Sequence, residues 1–210
     1  MLKLCKQGEK VLQFVKQNTK NFDYSHNWKH AYRVAQRAVQ IQDKLYSSSV
    51  KLQSCQSTKY NDVIFLSLLH DVCDHKYKND SIPRKDLSQW IDKNLKEYKY
   101  IDSLIDKVSF SYQIKHPDEK VPKILEIVRD ADRFDSLGSI GIIRLETYSE
   151  KIGRGKEDSV KHCFDKILRL VPEGYIKYLD DETLNKHNII VDYVNRNGNY
   201  NTPYMKIKKL

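Results

Sequence analysis

The sequence predicts a single all-α domain built around one buried helix. Three observations lead there. Apolar residues recur at helical spacing through most of the 210 residues, while the alternation expected of half-buried strands does not appear. Chain breakers are scarce, with 7 Gly and 5 Pro. One stretch, VIFLSLLHDVCDHK at residues 63–76, opens as an almost wholly apolar helix and so must be wrapped by others.

In chain order, the spacing predicts a first helix over 4–17 with Val11, Leu12, Phe14 and Val15 inward. Ser25 is placed to cap a second helix over 26–46, with Trp28, Tyr32, Ala35, Val39 and Leu45 among its inward residues. Residues 47–60 are polar and serine-rich and read as a loop, followed by the central helix over 62–75. Ser81 as cap and Pro83 as first residue open a helix to about residue 97. Further helices are expected over 101–112, 121–137, 139–152, 158–170 and 182–194, interrupted at Gly138 and at the Gly153–Arg154–Gly155 turn. Residues 1–20 are thus expected to pack as a helix on a domain spanning 21–196, with 197–210 a loose basic tail.

Composition narrows the function classes. Apolar residues make up 40% and charged residues 31%, as in ordinary globular proteins. No apolar run is long enough to span a bilayer, and the N-terminus lacks the apolar core of a secretory signal. Cys5, Cys55, Cys73 and Cys163 are far apart and form no CxxC pair, which fits free thiols in a reducing cytoplasm. The net charge of +9 favours an anionic partner, a nucleotide or other small phosphorylated molecule ahead of nucleic acid. No membrane partner is expected.

The chemistry concentrates on three helices. The central one delivers His70 and Asp71, with Asp74 one turn further. The second carries His26 and His30 four residues apart, and Arg33 beyond them. The helix over 121–137 carries Asp132 and Asp135 as near neighbours within RDADRFD. A lone helical His or an Asp beside an Arg is ordinarily structural. Two imidazoles and two carboxylates brought in on apolar helices are a different matter. His30, His70, Asp71 and Asp132 form a mixed N/O set suited to one divalent first-row metal, with Asp135 the rival to Asp132.

These blocks resemble the HD-domain metal-dependent phosphohydrolases, in particular small predicted hydrolases whose opening motif reads D-x-S-H-x-W-x-H-x-x-R-V. Here that motif is Asp23 to Val34, with Asn27 where relatives often carry Asp. LLHDVCDHK at 68–76 and DADRFDSLGSIGIIR at 130–144 supply the second and third blocks, and SVKHCFDKILRL at 159–170 a weaker fourth. The resemblance implies an HD-domain fold and the same four metal ligands. The ion would be Mn, Fe, Co, Ni, Zn or Mg. It further implies Asp74 as the carboxylate near attacking water, and Arg33, Lys76, Arg133 and Arg144 as groups holding phosphate oxygens. His162 and Lys166 match the fourth block, and His26 is either a phosphate contact, a ligand of a second metal or a packing residue. The expected activity is hydrolysis of a nucleotide-like phosphate ester or anhydride, with triphosphate pyrophosphohydrolysis ahead of monophosphate dephosphorylation. The alternative from another class is a metal-containing nucleotide or nucleic-acid sensor that performs no chemistry.

Overall fold

The structure, a computed structural model, describes residues 2–46, 58–198 and 207. Those residues form an all-α fold. The helices are α1 Lys6–Asn18, α2 Trp28–Tyr46, α3 Thr58–Leu69, α4 Arg84–Asn94, α5 Asp102–Ile105, α6 Phe110–Lys115, α7 Lys123–Phe134, α8 Gly138–Lys151, α9 Lys156–Asp165 and α10 Asp181–Asn197. Among the described residues there is no strand. Most of the loop expected at 47–60 lies outside them, as do Cys55 and nearly all of the tail expected at 197–210. Where residues 58–60 are described they already belong to α3, so the helix begins earlier than its apolar pattern indicates.

Two compact units share the chain. The first comprises residues 1–22 and 26–132, the second 23–25 and 133–210. In the first, every residue from Val63 to Leu69 is buried. Helix α3 packs against α1, α2, α5 and the 3-10 turn Lys96–Ile101. Burying all sides of a seven-residue run explains why α3 needs no polar face. In the second unit α8, α9 and α10 pack on one another around Val160, Cys163, Leu184, Ile190 and Val194.

Several helix boundaries differ from the expected ones, each for a local reason. Ser25 does not cap α2. Its amide and its hydroxyl both donate to Asp23 Oδ1, closing a turn before the helix. Asn27 opens α2 instead: its carbonyl accepts from His30 N at 2.9 Å and its Oδ1 from Lys29 N at 3.0 Å. Asn fills this position as well as Asp would, because either offers the side-chain oxygen. The buried face of α2 is also rotated from the expected one. His30, Ala31, Val34, Ala35, Ala38 and Ile41 are buried, whereas Trp28, Tyr32 and Val39 stay partly exposed. Small residues let α2 lie close to α3, and the large aromatics sit at its margin; Trp28 takes Lys16 over its ring at 4.5 Å.

Pro83, not Ser81, precedes α4, and residues 101–115 break into α5 and α6 instead of one helix. Ser109 starts α6 by accepting from Tyr112 N. In the second unit the G-S-I-G stretch has a backbone explanation. Gly138 has φ +70°, and a Cβ on Gly141 would fall 2.1 Å from the Ser136 carbonyl oxygen. A side chain at 141 is therefore excluded by main chain rather than by a movable neighbour.

Candidate metal centre

Helix α3 ends at Leu69, so His70 and Asp71 stand in the turn just beyond it and not within a helix running to residue 75. The terminus is closed by the histidine itself. His70 Nδ1 lies 2.7 Å from the Ser67 carbonyl, one of the orphan acceptors of the last turn. That bond requires the proton on Nδ1, which leaves Nε2 as a lone pair facing the interior. His70 Nε2 is buried without a hydrogen-bond partner of acceptable geometry.

Around that atom three other side chains converge, all from the first unit. Asp71 Oδ2 lies 3.3 Å from His70 Nε2 and 3.3 Å from His30 Nε2. Asp132 Oδ1, two residues before the end of α7, lies 3.3 Å from His30 Nε2 and 3.7 Å from His70 Nε2. The two imidazole rings are 5.3 Å apart at 69°. His30 is fully buried, while Asp71 and Asp132 keep about a fifth of their side-chain surface. Donors bound at about 2.1 Å to one ion stand roughly 3.0 Å apart at octahedral edges and roughly 3.4 Å apart in a tetrahedron. Three of the four separations, at 3.3 Å, fall in that range, and the His70–Asp132 one, at 3.7 Å, lies outside it; the donor atoms of His30, His70 and Asp71 all lie within 4.8 Å of one another, a set that fits one metal ion, with Asp132 beside it.

Electrostatics point the same way. Burial alone would depress the His70 imidazole, but Asp71 and Asp132 outweigh it and hold its proton affinity well above the ordinary histidine range. Burial would likewise raise both carboxyls, yet the facing histidines hold Asp71 and Asp132 well below the usual carboxylate range. The cluster therefore demands positive charge at its centre, from protons or from a cation.

Asp135, the rival to Asp132, does something else. It is buried, and its Oδ2 meets Arg144 Nη1 at 3.2 Å. Arg144 also donates from Nε to the Ser25 carbonyl at 2.6 Å, tying the turn at 23–25 to α8. Arg133 is buried and donates from Nη1 to the Tyr175 carbonyl. Arg129 donates from Nε to the Lys107 carbonyl at 2.9 Å. His162 is on α9, and Lys166 follows it with its amide on the His162 carbonyl. Arg33 is on α2, three residues after His30 and partly exposed.

A second group adjoins the first. His26 lies in the turn before α2 and not on the helix, its ring centroid 6.1 Å from that of His30. Asp74 caps the 3-10 turn His75–Tyr77, with Oδ1 accepting from the Lys76 amide at 2.9 Å. Lys76 Nζ lies 3.0 Å from His26 Nε2 and 3.2 Å from Asp74 Oδ2. Tyr77 Oη is 3.2 Å from His26 Nδ1, and its buried ring stacks on Phe22 at 4.2 Å. Tyr77 and the Ser67 carbonyl are the functional elements that sequence reasoning missed. A backbone carbonyl leaves no mark in sequence, and Tyr77 reads as one more aromatic after the HDVCDHK block.

No protein-family model matches the chain. It is 24% identical over 203 residues to the Bacillus subtilis protein YpgQ, covering 92% of this chain and 93% of YpgQ. The crystal structure of YpgQ superposes with a TM-score of 0.67 at 23% identity, over 91% of this chain and 93% of that one. YpgQ has also been solved in complex with ADP, a structure that matches with a TM-score of 0.65 at 21% identity over the same shares. A Lactobacillus plantarum protein gives a TM-score of 0.71 at 20% identity, over 93% of this chain and 96% of its own. An HD-superfamily hydrolase from Bacillus thuringiensis gives 0.62 at 23%, over 91% and 94%. At these identities the likeness is one of architecture: along nearly its whole length, this chain has the all-α fold of the HD-superfamily hydrolase.

Proposed function

We propose that the protein is a metal-dependent phosphohydrolase of the HD superfamily, acting on a nucleotide-like phosphate ester or anhydride. One observation carries the reading. Two imidazole nitrogens and two carboxylate oxygens from α2, the end of α3 and α7 meet at 3.3–3.7 Å, with His70 oriented by the Ser67 carbonyl. His30, His70, Asp71 and Asp132 would hold the ion. When bound, a divalent metal supplies Lewis acidity toward a phosphoryl oxygen and makes water acidic enough to attack near neutral pH.

The chain's own residues do the rest. Asp74, two residues from the Asp71–Val72 turn and only 8% exposed at its side chain, is assigned as the group that accepts the proton of attacking water. Lys76, 3.2 Å from Asp74 Oδ2, and Arg33, three residues after His30 on α2, are assigned as the cationic groups that would offset phosphoryl charge. Arg133 and Arg144 enter the proposal as positioning groups, because both donate to backbone carbonyls. His162 and Lys166 remain assigned to substrate by motif alone. The ADP complex of YpgQ supports a nucleotide as substrate class, and triphosphates cleaved to pyrophosphate are favoured over monophosphates. Among the described residues no helix is long and apolar enough to cross a membrane.

The test is turnover of nucleoside mono-, di- and triphosphates with Mn²⁺, Co²⁺, Ni²⁺, Zn²⁺ or Mg²⁺ added, scoring phosphate and pyrophosphate separately. Asp74→Asn is expected to lower turnover by about 10²–10⁴-fold with metal content unchanged. Loss of metal with activity would make Asp74 a ligand, and unchanged turnover would move the base elsewhere. A wild type that binds metal and nucleotide but hydrolyses none of the panel would be a sensor.

A further inference from the structure

Beside the four-donor cluster stands a second triad, His26, Asp71 and Asp74, whose donor atoms all lie within 4.8 Å of one another. It shares Asp71 with the triad His30, His70 and Asp71. Two donor sets joined through one carboxylate have the layout of a two-cation centre. In this chain, however, a cation is already in place in the second set. Lys76 Nζ lies 3.0 Å from His26 Nε2 and 3.2 Å from Asp74 Oδ2. We propose that the Lys76 ammonium takes the position of a second metal ion between His26 and Asp74, so that the centre holds one divalent ion and not two. The proposal rests on the reading of the first cluster as a metal centre.

Three features carry it. The first is the state of His26. An ammonium has only protons to offer, so the contact requires a lone pair on Nε2 and places the ring proton on Nδ1. Tyr77 Oη, 3.2 Å from Nδ1, is there to accept it. A histidine with one nitrogen tied by a neighbour and the other presented as a lone pair is held as metal ligands are held, but here the lone pair meets Lys76.

The second feature is charge. Asp71, Asp74 and Asp132 carry three negative charges when ionised, and neutral histidines add none. One divalent ion and one ammonium balance them. A second divalent ion alongside Lys76 would leave the group with two excess positive charges in a site that water reaches poorly, since Asp74 is 8% and His26 11% exposed at the side chain. The third is placement. Lys76 follows Asp74 within the tight 3-10 turn that Asp74 caps, and Asp74 Oδ1 accepts from the Lys76 amide at 2.9 Å. The same carboxylate thus fixes the lysine backbone through one oxygen and meets its ammonium with the other.

The experiment is Mn²⁺ titration of the full chain by calorimetry, with bound manganese counted by elemental analysis after desalting and the spin state read by electron paramagnetic resonance. Wild type is expected to bind one Mn²⁺ with the spectrum of an isolated ion. Lys76→Ala is expected to bind two, with the exchange-coupled spectrum of a pair. Lys76→Arg, which keeps the charge, is expected to stay at one, and Lys76→Ala with His26→Ala to return to one. Lys76→Gln serves as a second neutral variant, and thermal melting checks that each variant is folded. One manganese in both neutral variants would overturn the proposal and leave the metal centre standing. Two in the wild type would overturn it as well. None in the wild type would remove the metal centre, and this inference with it.

Discussion

Asp132, in the last turn of α7, and Asp135, just beyond its end, lie three residues apart, yet their replacement by Asn should fail in opposite ways. Asp132 Oδ1 faces two histidine nitrogens at 3.3 and 3.7 Å and keeps 22% of its side-chain surface. Asn at 132 keeps the shape and removes the charge, so the metal-free protein should melt within a few degrees of wild type. The loss should appear when Mn²⁺ is added. An ion at a hundred times its dissociation constant stabilises by about 2.7 kcal/mol, and about 1 kcal/mol moves a domain of this size by 2–4 °C. Wild type should therefore gain roughly 5–11 °C in melting temperature, and Asp132→Asn little or none. Asp135→Asn removes the partner of Arg144, with both side chains at or below 10% exposure. Breaking such a buried pair costs about 3–5 kcal/mol, which should lower the melting temperature with or without manganese while the metal-induced increment survives. Differential scanning fluorimetry with and without metal separates the two. A full manganese increment in Asp132→Asn, or its disappearance in a folded Asp135→Asn, would refute the assignment of Asp132 as the ligand.

Other expectations follow from single buried positions. His187 on α10 is fully buried with neither ring nitrogen hydrogen-bonded, and burial pushes its pKa down to about 4. Its unfolded form takes up a proton near pH 6.5 while the folded form does not, so stability is complete above that pH and lost as pH falls toward 4. The loss is on the order of 3 kcal/mol, and His187→Leu should flatten that acid limb in urea titrations at stepped pH; an unaltered limb would assign it to other groups. Leu68 is fully buried in α3, and Leu68→Ala should cost about 2–5 kcal/mol in the same assay; a loss below about 1 kcal/mol would make α3 peripheral. Gly141→Ala sets a Cβ against the Ser136 carbonyl and should destabilise by at least about 1–3 kcal/mol, whereas Gly155→Ala, which meets nothing within 4 Å, should not.

What was legible in the sequence follows from how each feature is encoded. The all-α class and the buried α3 are written in periodicity and in an apolar run with no polar face. The grouping of His30, His70 and Asp71, with Asp132 3.3 Å from His30, was legible because each sits on, or directly after, a helix whose apolar face fixes where it points. The ends of those helices were not. Residues 70–74 continue the apolar-and-charged rhythm of α3, and only the His70 side chain, taking the Ser67 carbonyl, shows that the helix has stopped. The early stop matters chemically, because it frees Asp71, one residue on, to face both His30 and His70. A helix carried through to 75 would set successive side chains about 100° apart, and His70 and Asp71 could not share a centre so readily.

The roles of the basic residues were the least legible, since sequence records that a charge is present and not what it meets. The family motif assigns Arg144 to phosphate, and in the structure its guanidinium meets the Ser25 carbonyl and Asp135. The turn at residues 23–25 leads directly into His26 and α2. One buried arginine thus anchors the backbone immediately before the histidine that faces Lys76. Block spacing in such a chain reports two things at once: the donors that meet at the centre, and the arginines that fix where the donor-bearing turns begin. Substitution of Arg144 should lower stability, since its guanidinium meets a buried carboxylate and a backbone carbonyl.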